Sequence, residues 1–69
     1  MSVPIGSSAA VKALYAVGLT RRRLLDLGLT PGTRIACLYE APSGNPRAYL
    51  IRGAVIALRN QDAEQISLI

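Results

Sequence analysis

The stretch Leu19-Thr-Arg-Arg-Arg-Leu-Leu-Asp-Leu-Gly-Leu-Thr-Pro-Gly-Thr33 packs a short helix, its stop and a turn into fifteen residues. Thr20 stands where an N-cap belongs, Leu19 and Leu24 stand at the N′ and N4 positions of a hydrophobic staple, and Gly28 supplies a left-handed stop. This predicts a helix over Arg21 to Leu27, with Leu29 packed back on Leu24. Pro31-Gly32 fits the central pair of a type II turn, because Pro fixes φ and Gly accepts a positive φ. The chain should then leave as a strand.

Arg21, Arg22 and Arg23 occupy the positive end of the predicted helix dipole, where each cation is unfavourable by about 0.3–1 kcal/mol. Arg22 and Asp26 stand at i,i+4, but base before acid is the weaker order and recovers only a few tenths of a kcal/mol. Helix stability therefore does not account for the three arginines. Two readings stay open: solubility and cover of apolar surface by the arginine stems, or recognition of an anionic partner.

Outward from this stretch the pattern is mostly β. Ser8 to Tyr15 reads as a first strand, Thr33 to Glu40 as a second, and Ala41 to Pro46 as a hairpin loop leading to a return strand over Arg47 to Arg52. Gly53-Ala54 predicts a tight turn, and Val55 to Arg59 a strand apolar enough to be central. Asn60 should cap one turn over Asp62 to Gln65 before Ile66 to Ile69 closes the sheet. Five short strands, tight turns and one short helix predict a small β-barrel, a closure that would hide sheet edges. The whole chain, residues 1–69, is expected to form one domain, with no linker, repeat or low-complexity segment.

Sixty-nine residues bury only about 60% of their unfolded surface, so the core must be economical. Half the chain is apolar (51%) but it holds no Trp or Phe. Leu, Ile, Val and Ala must build the core, with Tyr15, Tyr39 and Tyr49 at its edges. Cys37 shares a strand face with Ile35, which predicts a buried structural thiol. No uncharged apolar run approaches the roughly 20 residues of a membrane span, and no signal peptide is evident, so a cytoplasmic protein is expected.

Two blocks carry a family resemblance: LTRRRLLDLGLTPGT (19–33) and APSGNPRAYLIRGAVIALR (41–59), followed by DAEQI before the last strand. In one unbroken register they resemble the ferrous-iron transport protein A family, FeoA. The resemblance implies an SH3-like β-barrel in the bacterial cytoplasm that assists the membrane GTPase transporter FeoB in Fe(II) uptake. One departure is Asn45, where the family pattern usually carries Asp between Gly and Pro. The opening VPIG fits only loosely.

The chemical inventory excludes most other classes. There is no histidine, and the four acids Asp26, Glu40, Asp62 and Glu64 read as solvated, so no catalytic residues are assigned and no enzyme is expected. No phosphate-binding GxxxxGK[ST] or GxGxxG run is present. Fe(II) favours clustered imidazole and carboxylate, so neither a metal site nor a cofactor is expected.

What remains is a formal charge of +4 with a pI near 10.0, which favours acidic partners. Three classes compete: an acidic face of a transporter's cytoplasmic domain, a nucleic-acid backbone, and an anionic membrane surface. Few aromatic side chains are available for base stacking, which places nucleic acid second. The basic cluster is sparse and the helix short, which places the membrane surface third.

The first expectation, then, is a non-enzymatic adaptor that docks on the cytoplasmic part of FeoB and is recruited through it to the inner membrane. The candidate surface is Arg21, Arg22 and Asp26 on the outer side of the helix, with Leu25 as an apolar anchor if it does not face the core. The hairpin tip Ser43, Gly44 and Asn45 is a second contact. Arg23, one turn before Leu27, should lay its stem along the barrel. The alternative keeps the barrel as a nucleic-acid binder or as a regulatory module like that of diphtheria-toxin-repressor-type proteins, although no helix-turn-helix is present. A homodimer is also open, through Val3 to Ser8 or Ile66 to Ile69.

Overall fold

The computed structural model describes residues 3–69; Met1 and Ser2 of the expected domain lie outside the described residues. The chain runs β1 (Ser8–Leu14), α1 (Gly18–Asp26), β2 (Arg34–Glu40), β3 (Arg47–Ile51), β4 (Ala54–Leu58), α2 (Asn60–Ala63) and β5 (Ile66–Leu68). All pairings are antiparallel, in the order β4-β3-β2-β1-β5. The mostly β, five-stranded SH3-like architecture with one short helix, α1, is therefore the one the sequence predicts, although strand ends differ by a residue; the expected closure is incomplete, because β4 and β5 do not pair and remain the two ends of the strand order.

Curvature comes from β1, which serves two ladders. Ser8 to Ala10 pair with β2, whereas Val11 to Leu14 pair with β5, and the register shifts between Val11 and Ala13. An irregularity of this kind bends a strand and raises its twist. The turn before β2 locks the bend: the Val11 N–H donates to the Thr33 carbonyl (2.8 Å) and the Gly32 N–H to the Val11 carbonyl (2.7 Å).

The curled sheet and α1 enclose Val11, Leu24, Leu29, Ile35, Cys37, Ile51, Leu58 and Ile66 around Tyr49. Strand alternation places Ile35 and Cys37 inward, opposite Ile51 and Tyr49 on β3, so the expected buried Cys37 is found. Tyr15 and Tyr39 are exposed, but Tyr49 corrects the expectation of three edge tyrosines. It is 1% exposed and the largest fully buried side chain, because a chain without Phe or Trp needs a ring to fill the barrel's middle. Burial raises the Tyr49 phenol above its ordinary range, an effect opposed by the neighbouring Arg47 guanidinium, which lies 5.9 Å from the ring centroid.

Four local expectations need correction. α1 begins at Gly18 with Val17 at its N-cap, so Thr20 lies inside the helix and caps nothing. The earlier start turns Leu19 to solvent, 87% exposed, and the staple to Leu24 does not form. The β3–β4 turn is Arg52-Gly53 rather than Gly53-Ala54. Both residues have positive φ (+50° and +81°) and Ile51 pairs with Ala54, which is the two-residue type I′ geometry that matches strand twist. β4 is an edge strand rather than a central one: it pairs with β3 alone, and its apolar Val55 is 58% exposed. Finally, α2 starts at Asn60, whose side chain does not cap it; that role passes to Asn45 across the molecule.

Candidate functional site

The outer face of α1 is positioned by the way the helix ends. The Leu29 N–H donates to the Leu24 carbonyl (3.1 Å) and the Gly28 N–H to the Leu25 carbonyl (2.9 Å), with Gly28 at φ +99°: a Schellman stop closed by the buried Leu24 and Leu29. The Thr33 N–H then bonds the Thr30 carbonyl (3.0 Å) with Gly32 at φ +89°, as a type II turn requires. The Thr30 and Thr33 hydroxyls meet at 2.9 Å.

A strap from elsewhere in the chain closes this knot. Arg52 donates from Nε to the Gly28 carbonyl (3.3 Å) and from Nη2 to the Thr30 hydroxyl (3.1 Å) and the Thr33 hydroxyl (3.3 Å). Sequence reasoning did not single out Arg52, and no local pattern marks it. Its left-handed backbone, costly for a side chain bearing a Cβ, is held in place by these three bonds.

With the helix so fixed, Gly18, Arg21, Arg22, Leu25 and Asp26 line an open depression of about 430 Å³. The structure thus brings together all four helix residues proposed from the sequence. Leu25 is half-buried among the charges, an apolar side chain in neither full core nor full solvent. The arginines divide by what they hold. Arg21 donates to the Leu14 carbonyl at the end of β1 (3.2 Å), and Arg23 reaches Asp62 of α2 at 3.7 Å. The expected Arg22–Asp26 pair does not form, and among the described residues neither side chain finds a partner.

The hairpin tip is built differently. The Ser43 hydroxyl donates to the Asn45 carbonyl (2.9 Å), the Asn60 amide donates to the Gly44 carbonyl (3.0 Å), and the Asn45 Oδ1 accepts from the Asn60 N–H (3.0 Å). Gly44 and Asn45 are therefore committed to α2, and the Ser43 hydroxyl to the hairpin itself, rather than to the helix-face depression. Asn45 satisfies the first backbone donor of α2 with its amide oxygen, which a carboxylate would do equally well.

Beneath the hairpin, Arg47 is a second interior feature missed from sequence. Its Nη2 donates to the Val3 carbonyl (3.0 Å), while its Nε lies 3.5 Å from the Glu40 carboxylate without the alignment of a hydrogen bond. Together with Asn60, Glu64 and Tyr49 it lines a depression of about 280 Å³ that carries both charge signs.

Among the described residues no three His, Cys, Asp or Glu side chains gather, and the Cys37 thiol is buried. No helix of the described residues is long and apolar enough to cross a membrane.

Comparison with known proteins agrees with this architecture. No curated protein matches the chain. Among solved structures, the iron(II) transport protein A of Clostridium thermocellum is 30% identical with a TM-score of 0.92, over 96% of this chain and 41% of that one. FeoA of Chlorobium tepidum is 34% identical with a TM-score of 0.89, over 97% of this chain and 64% of that one. The present chain thus spans less than two thirds of either relative's length. A third likeness, at 24% identity and a TM-score of 0.87 over 99% of this chain and 85% of that one, concerns the fold alone. It is to the zinc-complexed FeoA of Stenotrophomonas maltophilia, described as a prokaryotic SH3 domain protein. The family model for the FeoA domain matches residues 1–68, and with the sheet order and the helix stop now in view, the chain belongs to the FeoA domain family.

Proposed function

We propose that the chain is a non-enzymatic accessory protein of bacterial ferrous iron uptake that docks on the cytoplasmic part of a FeoB-type GTPase transporter. Family membership supports the setting, as does the 30% identical C. thermocellum relative, described as an iron(II) transport protein A. In this reading the protein works in the cytoplasm and reaches the inner membrane through its partner. It influences transport by contact, without a cofactor, a metal site or a small-molecule substrate of its own.

The observation that carries the docking surface is the split within α1. Arg21 and Arg23 serve the fold, whereas among the described residues Arg22 and Asp26 hold nothing and flank the half-buried Leu25 in an open depression. Apolar anchors ringed by charge are the usual make-up of a protein interface, and unpaired charges give it orientation. The hairpin tip remains in the proposal as a peripheral contact, through the exposed side of Ser43.

NMR titration of the labelled protein with the transporter's soluble cytoplasmic domain, with and without guanine nucleotide, tests this reading. Saturable shifts centred on Arg22, Leu25 and Asp26, weakened by salt and lost in Leu25→Ala, are expected. Shifts elsewhere, or none while a nucleic acid produces them, would overturn it in favour of the nucleic-acid alternative.

A further inference from the structure

We infer that the free edge of β4 receives an extended, acid-ended peptide segment of a partner as a sixth strand. This surface is separate from the α1 depression, and its ligand class is different: main chain first, side chains second.

Among the described residues the edge is open and unprotected. β4 ends the strand order and pairs with β3 in an unbroken register over all five residues. Ile51 and Ala54 flank the two-residue turn, so Ala54, Ile56 and Leu58 exchange their hydrogen bonds with β3. The N–H and C=O groups of Val55 and Ala57 consequently point away from the sheet. Natural edge strands are usually blunted by charge, proline, a bulge or brevity. The sequence Ala-Val-Ile-Ala-Leu contains no charged residue, no proline and no glycine, and no register shift interrupts its ladder. Four outward backbone groups form a template for strand addition, in which the main chain supplies affinity and alternate side chains supply selectivity.

The surroundings select the chemistry of the incoming strand. On the outer face Val55 lies beside Leu50, which lies beside Ala36, giving an apolar row with Val55 58% and Leu50 38% exposed. Alternate residues of the ligand pointing to this side should therefore be apolar. Arg59 stands at the C-terminal end of β4 with no carboxylate partner among the described residues, and Arg52, at the other end, adds positive charge while its Nε and Nη2 stay on the loop before β2. An acidic residue beside Arg59 would complete that pairing, and one at the other end would meet the field of Arg52. A second copy of this chain is the weaker occupant: antiparallel pairing about Ile56 would set Arg59 of one copy beside Gly53 and Arg52 of the other, joining two proteins that each carry +4.

The test uses the whole protein, labelled with ¹⁵N, and a synthetic capped peptide of about five alternating Thr and Val residues with two glutamates at each end. Saturable shifts at Val55 and Ala57 with slowed amide exchange there are expected, and about tenfold weaker binding for a lysine-ended peptide. Ala57→Pro removes one outward donor without touching the β3 ladder, a place where proline is tolerated, and should abolish the effect. Val55→Lys, which charges the edge without altering the backbone, should do the same if the proline variant fails to fold. Unslowed exchange, indifference to both variants, or shifts confined to α1 would each overturn the proposal. So would a sedimentation mass that rises with protein concentration and is unaffected by the peptide, since the edge would then serve self-association.

Discussion

The inner and outer faces of α1 are made from consecutive residues yet follow opposite rules. On the inner face Leu24 is fully buried against Leu29, and the Gly28 stop and the Thr30–Thr33 turn are bound together by Arg52. On the outer face Leu25 is half-buried and Arg22 and Asp26 have no partner among the described residues. One turn of helix thus separates groups fixed by the fold from groups the fold leaves unused. A surface that stability does not explain is where function should be sought.

The largest expected effect separates the adjacent leucines. Leu24→Ala leaves a cavity in a core too small to relax around it and should cost about 2–5 kcal/mol. Leu25→Ala should cost clearly less than Leu24→Ala, since Leu25 is only partly buried and its truncation opens to solvent rather than leaving an enclosed cavity. Chemical denaturation of the two variants measures the difference directly; equal losses would erase the distinction between the faces.

Next in size is Gly28→Ala. The new Cβ would lie 2.8 Å from Arg52 Cδ and would have to hold φ near +99°. Backbone strain of this kind costs about 1–3 kcal/mol. The Arg52 side chain would also have to leave its three acceptors. In the Arg52→Ala background the steric part should vanish, so the pair of substitutions should be less than additive. Strict additivity would mean that Arg52 does not strap the knot.

The hairpin tip offers a smaller contrast. Asn45→Ala removes the acceptor for the first N–H of α2 and should cost about 0.5–2 kcal/mol. Asn45→Asp keeps that acceptor and adds charge at a favourable helix end, so its stability should stay within about 0.5 kcal/mol of the parent. The Asp usual in the family pattern and the Asn found here then serve the same structural purpose. A Tm of Asn45→Asp as low as that of Asn45→Ala would rule this out.

Alkali gives a further probe of the inner region. Burial raises the Tyr49 phenol above its unfolded value of 10.0, so the folded state retains this proton more strongly than the unfolded chain. The resulting stability is fully present below about pH 10 and is lost as pH rises through the folded value. Stability measured through this window should fall in the parent and fall less in Tyr49→Phe.

Legibility from sequence followed the same division between local and distant contacts. Gly28, Leu29 and Pro31-Gly32 were readable because their bonds close within six residues and each uses a residue type the geometry demands. The β3–β4 turn slipped by one residue because an arginine took a position that usually favours Asn or Gly, sustained by acceptors on the loop before β2. β4 reads as central from its apolar run, since composition reports hydrophobicity but not whether a neighbour exists on the far side. The four helix residues of the candidate surface were legible because i,i+3 and i,i+4 spacing places them together without any tertiary information. Asn45 was not: its partner is Asn60, on the far side of two strands.

The smallest expected effect is the one that bears most on function. Arg22→Ala and Asp26→Ala remove no contact in the structure, and surface changes of this type shift stability by less than about 0.5 kcal/mol. Because α1 starts at Gly18 rather than Arg21, Arg22 stands at the middle of the helix, and the dipole penalty expected from the sequence does not apply to it. If both variants keep the parent's denaturation midpoint yet lose binding to the transporter's cytoplasmic domain, the two unpartnered charges are there for a partner. If they keep both stability and binding, the outer face is only a solvated surface, and the β4 edge becomes the stronger place to look for the contact.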